Sequence, residues 1–177
     1  MRQLPSDKYN VAWFKLAEFV SRGEKERALG LYRLLMHSFD DKALAHQLEG
    51  DLLLSFKNDD SIMAYQKAAQ LYQEDGRFIQ AIAVYERLLQ LNPEQESTFY
   101  ILCDLYELLD MDERSWQKKQ EYFIRMITKH SYENYMELFH ELLDTCINNT
   151  KRKSFFTELK VRNQHAYEYA CTYLKNG

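Results

Sequence analysis

Breakers are scarce in this chain: its 177 residues include only five glycines and two prolines. A sheet protein of this length needs many turns, and turns draw heavily on those two residues, so the composition argues against a β architecture. Cysteine is also sparse. Cys103, Cys146 and Cys171 are odd in number and widely spaced, which gives neither a disulfide framework nor a zinc-ligand pattern. Reduced, buried thiols in a cytoplasmic protein are the reading they support. No apolar run approaches the roughly 20 residues that span a bilayer, so membrane insertion is not expected. Residues 1–8 carry no apolar segment of the signal-peptide kind.

Catalytic motifs are missing as well. Five scattered glycines cannot build a phosphate-cradling loop, and there is no Gly-x-Ser-x-Gly elbow. Glu137 and His140 have the Glu-x-x-His spacing of di-iron bundles, but no other histidine has an acid three residues before it. The pair therefore reads as part of a solvated helical face. Cys146 stands six residues from His140, off the same helix face, so no thiolate–imidazole pair is indicated. The expectation is a protein that is not an enzyme and needs no cofactor or metal.

What the chain does have is Leu, Glu, Gln, Lys and Arg in abundance, together with 13 tyrosines and 10 phenylalanines. Few breakers and many strong helix formers predict an all-α fold with short connections. Apolar periodicity and turn signals place nine helices, over about 8–21, 24–38, 42–57, 60–75, 77–91, 94–109, 112–129, 131–148 and 152–175. Asp40-Asp41 offers a cap for the third, Asn58 to Ser61 caps the fourth, and Gly76 closes the fourth at a position suited to positive φ. Connections of two to five residues imply sequential antiparallel packing.

Charge is uneven. The net value is −4, which disfavours non-specific nucleic-acid binding. Yet residues 151–177 carry Lys151, Arg152, Lys153, Lys160, Arg162 and Lys175 against Glu158 and Glu168, a local +4, so residues 1–150 carry −8. Three adjacent cations at 151–153 fall below the block size of a polyanion-binding tail and read as a solvated turn. Trp116 is expected to pack with its indole N–H at the surface.

Within residues 62–95 a repeat pattern stands out: Tyr65, Ala68, Ala69, Tyr72, then Gly76, Ala81, Tyr85, Leu88 and Pro93. Small residues at 69 and 81 suit two helices that cross closely, and the tyrosines suit the space between hairpins. This arrangement resembles the tetratricopeptide repeat, in which a 34-residue unit forms one helical hairpin. Residues 96–129 resemble it through Phe99, Leu102, Cys103, Tyr106 and Ser115, with Lys119 where an aromatic belongs. Residues 9–42 resemble it through Gly23, Ala28 and Tyr32. Ala28 and Ala81 are 53 residues apart, which is not a multiple of 34, so one additional helix stands between the two units. His46, Gly50 and Leu53 fit the first-helix slots of that segment, and the pairing of helices around 43–75 is left open by the pattern.

The resemblance covers roughly residues 9–129. It implies hairpins stacked as a right-handed superhelix over residues 1–129, with 130–177 as capping helices. It also implies a concave face lined by set positions of each first helix. Those positions are Met63, Gln66, Gln70 and Gln73, then Ser97, Tyr100, Asp104 and Glu107, then Asn10, Trp13, Ala17 and Val20. Such a face implies a scaffold that binds a protein or peptide, here one with neutral or basic character. Gln66, Gln70, Tyr100 and Asp104 stand where a carboxylate clamp would need lysine and asparagine, so that clamp is not supported. A second reading is a self-associating helical protein that forms a homo-oligomer.

Overall fold

The computed structural model describes residues 6–37, 39–145 and 149–176, with side chains over 11–37, 39–145 and 152–175. Every regular element among them is helical. The elements are α1 (Ser6–Ser21), α2 (Lys25–Met36), α3 (Lys42–Ser55), α4 (Asp60–Glu74), α5 (Phe78–Leu91), α6 (Glu96–Leu108), α7 (Asp112–Ile127), α8 (Met136–Asp144), α9 (Asn149–Arg162) and α10 (Gln164–Asn176), with one 3₁₀ turn at Tyr132–Tyr135. They fall into two compact units, Met1–Leu91 and Asn92–Gly177.

Four hairpin turns are built the same way. Gly23, Lys57, Gly76 and Asp110 each adopt positive φ. At each, the following amide reaches back five positions: Glu24 to Phe19, Asn58 to Leu53, Arg77 to Tyr72 and Met111 to Tyr106, at 2.8–3.0 Å. The positive-φ residue itself donates to the carbonyl three positions back. This double bond pattern satisfies the orphan carbonyls at a helix end and turns the chain sharply. Glycine adopts this conformation freely, whereas Lys57 and Asp110 do so against a steric cost. Gly23 and Lys57 lie 34 residues apart, and so do Gly76 and Asp110.

In the first unit, α1 and α2 close on Leu16, Phe19, Ala28, Tyr32 and Leu35, with Leu52 from α3. The α4 helix packs against both α3 and α5. Asp51 accepts from the Tyr65 hydroxyl at 2.5 Å and Gln47 from Tyr72 at 2.8 Å, so α3 and α4 run antiparallel. Their crossing is close. A Cβ added to Gly50 would lie 2.7 Å from Cδ1 of the Tyr65 ring. Ala68, Ala69 and Ala81 are fully buried, and so are Tyr65 and Tyr72. Asp41 caps α3 by accepting from the Leu44 amide at 3.0 Å. Its other oxygen accepts from Arg77 Nη1 at 2.7 Å, and the Arg77 guanidinium lies 4.3 Å above the Tyr72 ring. The Leu44 amide, followed by the Arg77 partner, holds the Asp41 carboxyl below the ordinary range.

In the second unit α6 and α7 run antiparallel, with Phe99 stacked on Tyr122 at 4.0 Å. Phe123 stacks on Phe139 of α8 at 4.5 Å, and Phe155 of α9 meets both rings edge-on. Leu102, Leu142, Leu159, Ala166 and Ala170 complete this fully buried core.

Three expectations are corrected here. The described residues hold ten helices rather than nine, because the long final helix expected over 152–175 is broken at Asn163. Its side-chain oxygen accepts from the Ala166 amide at 3.0 Å, the geometry of an N-cap, so Asn163 starts α10 rather than continuing α9. The eighth helix begins at Met136 behind the 3₁₀ turn and not at 131; its expected end at 148 lies outside the described residues. Trp116 buries its Nε1 atom instead of placing it at the surface, and its ring meets Phe155 edge-on at 6.2 Å.

The α3–α4 crossing gives a direct test. Gly50→Ala gains helix propensity of about 1 kcal/mol but forces a methyl group into the Tyr65 ring, for a cost of about 1–3 kcal/mol. Urea unfolding is expected to show a net loss of stability. Gly30→Ala, in α2 with open space around the added Cβ, is expected to shift the midpoint upward instead.

Candidate functional site

The family-implied positions fall on α1, α4 and α6. On α1, Trp13 is half-buried with its ring 5.9 Å from Phe39, packed against the α1–α2–α3 core. On α4, Met63 is 71% exposed and lines an open cleft of about 580 Å³ with Lys25, Arg33, His46 and Lys67. Gln66 is half-buried. Gln70 donates to Glu74 at 2.8 Å, and Gln73 accepts from the Tyr85 hydroxyl at 3.1 Å. These α4 positions form a polar strip in the first unit.

On α6, in the second unit, Tyr100 is 43% exposed and meets Phe99 edge-on at 5.0 Å. Asp104 is exposed. Glu107 accepts from Ser115 Oγ at 2.8 Å and from Lys119 Nζ at 2.6 Å. Lys119 extends from α7 and also pairs with Glu141 of α8. Its side chain is 12% exposed, so one largely buried ammonium ties α6 and α8 across α7. Partial burial raises the Tyr100 pKa, and the charges of Glu96, Glu137 and Glu141 raise it further. Glu96, Glu137 and Glu141 thus act on Tyr100, Glu107 and Glu141 hold Lys119, and Asp104 stands four residues from Tyr100 on α6. Beneath them Tyr122 is pushed up to about 12, chiefly by burial and then by Glu96.

Glu137 and Glu141 were not among the positions the resemblance implies, and Lys119 stood out only as a departure from the repeat pattern. The signal was present: a lysine in a slot that calls for an aromatic, and two acids four residues apart on one helix face.

Little in the described residues suggests bond-making chemistry. Burial pushes the Cys103 thiol up to about 12, so its reactive thiolate is suppressed. Cys171 is half-buried, and Cys146 lies outside the described residues. No group of three or more His, Cys, Asp or Glu is placed to hold a metal ion among them, and none of their helices is long and apolar enough to cross a membrane. His140, expected on a solvated face, is instead half-buried. Its Nε2 lies 2.7 Å from the Tyr169 hydroxyl and its ring stacks on Tyr173 at 4.7 Å. Tyr173 in turn donates to Asp144 at 3.1 Å. No protein-family model matches the chain, and no curated protein matches it.

The Lys119 bridge has a definite pH signature. The Lys119 hydrogen bond, set against some desolvation, holds the Glu107 carboxyl below its ordinary value. Desolvation lowers the Lys119 pKa, but hydrogen bonds to Glu107 and Glu141 outweigh it, and the net shift is upward. A depressed carboxyl stabilises the fold above its unfolded pKa and loses that contribution as pH falls through the folded one. The raised lysine contributes below its unfolded pKa and loses it as pH rises through the folded one. Lys119→Met is therefore expected to lose about 1 kcal/mol near neutral pH, discounted for the exposure of both glutamates. The difference from the parent chain should shrink to nothing below the acidic limit; chemical unfolding at stepped pH measures it.

Proposed function

We propose that the chain is a non-enzymatic interaction module whose α6–α8 face receives a cationic segment of a partner protein. The observation that carries this reading is the set of carboxylates that act on the exposed ring of Tyr100, from Glu96, Glu137 and Glu141, with Glu107 and Glu141 paired to Lys119. A lysine or arginine side chain entering the face gains charge-assisted hydrogen bonds and can lie over the tyrosine ring. Acidic complementarity of this kind speeds encounter and rejects anionic partners.

The helical hairpins are, in this proposal, tetratricopeptide-like repeats. The supporting observations are the two pairs of left-handed turns spaced by 34 residues and the buried small-residue and tyrosine positions. The right-handed stacking that the resemblance implies belongs to the same proposal. The break in register falls at α4, which packs on both sides and so ends one period and opens the next.

The test uses a fluorescein-labelled helical peptide with lysines and arginines on one face, followed by anisotropy. The parent chain is expected to bind it, more weakly as salt rises from roughly 50 to 300 mM, because screening tightens over that range. The double change Tyr100→Ala and Asp104→Lys is expected to weaken binding at least about tenfold, the range of a lost interface anchor. An acidic peptide bound equally well, or a double variant that binds unchanged, would reject this assignment.

A further inference from the structure

We propose that the chain associates with itself through its second unit, the cationic outer face of α9 in one copy seating on the carboxylate face of α6 and α8 in another. This rests on the reading of the α6–α8 face above and names its partner.

The α9 helix presents an unusual side to solvent. Lys153, Thr157, Lys160 and Val161 are exposed at helical spacing, and Val161 is 78% exposed. Arg162 beside them is exposed too. None of Arg152, Lys153, Lys160 and Arg162 forms an ion pair among the described residues. Arg152 and Lys160 have aromatic neighbours instead, with Arg152 5.8 Å from the Phe156 ring and Lys160 5.7 Å from the Tyr167 ring. The one acid of α9, Glu158, is turned inward and accepts from Gln120 at 3.3 Å. A helix carrying uncompensated cations round an exposed valine therefore belongs to the same unit as a face of carboxylates round an exposed tyrosine.

The spacings match. Lys153 and Lys160 are seven residues apart, about 10 Å along a helix. Glu96 and Asp104 are eight apart on α6, about 12 Å, with Tyr100 midway. Laid along α6, the two lysines reach the two acids while Thr157 falls opposite the Tyr100 ring and Val161 at the Asp104 end. A polyanion such as nucleic acid or an anionic bilayer would meet the cations but would be repelled by a chain of net charge −4. A second copy satisfies both faces at once. Because the two faces differ, the contact is heterologous; it closes as a reciprocal pair or a ring, or it propagates.

Sedimentation velocity over roughly 10–200 µM protein, at about 50 and 500 mM salt, tests this, since the shorter Debye length at high salt weakens exposed charge pairing. The 21.3 kDa chain is expected to associate at low salt and to dissociate at high salt. Lys153→Glu with Lys160→Glu, and separately Asp104→Lys with Glu137→Lys, should each weaken association at least tenfold while circular dichroism stays helical. An equal mixture of the two variants should recover it, because the swapped charges again oppose. A parent chain that stays monomeric, swaps without effect, or a folded mixture that does not recover overturns the proposal. If the monomeric chain still binds the cationic peptide, the α6–α8 reading stands and self-association alone fails; if neither occurs, both fall. Capture of phosphatidylserine vesicles or a short RNA by a monomeric chain, lost in Lys153→Glu with Lys160→Glu, also overturns it and assigns α9 to that partner.

Discussion

The absence of a side chain at Gly50 governs how the first unit is put together. It lets α3 lie against the face of the Tyr65 ring at a distance no β-carbon would permit. With the ring so placed, its hydroxyl reaches Asp51, and two turns further along α4 Tyr72 reaches Gln47. The tyrosines here combine buried rings with satisfied hydroxyls, a pairing that a leucine core cannot offer. The remaining small residues, Ala68, Ala69 and Ala81, extend the same close approach from α4 to α5.

Much of this was legible in the sequence because it depends on residue size and chain direction. The helix content follows from composition, and the tyrosine and alanine slots follow from periodicity. Two of the four left-handed turns carry glycine and announce themselves. At Lys57 and Asp110 the polar run marks the break, but the left-handed backbone does not show, because neither residue is a glycine. Asn163 was hidden for a related reason. Its neighbours are good helix formers, and only the amide it caps reveals that one helix has become two.

The candidate face was half legible. Tyr100, Asp104 and Glu107 came from a family position rule applied to α6. Glu137 and Glu141 lie thirty or more residues later, beyond the segment that resembles the repeat, and nothing local says that α8 returns to face α6 across α7. Lys119 explains how the face tolerates so much negative charge. A largely buried ammonium with two carboxylate partners stands where the resemblance to the repeat calls for an aromatic, and it links the helices through charge. Without the lysine two half-exposed glutamates would face each other unpaired, which is why it matters more than a cation at the rim.

Asp41 has two tasks at once, and they join parts of the chain that are far apart in sequence. One oxygen holds the first turn of α3 and the other holds Arg77 at the entrance to α5. Fraying of α3 therefore releases the arginine, and loss of the arginine contact loosens the cap. Amide hydrogens at the start of α3 and of α5 should then exchange with solvent as one cooperative unit. In that sense a single carboxylate joins the first turns of α3 and α5 through a guanidinium that also lies over Tyr72 of α4.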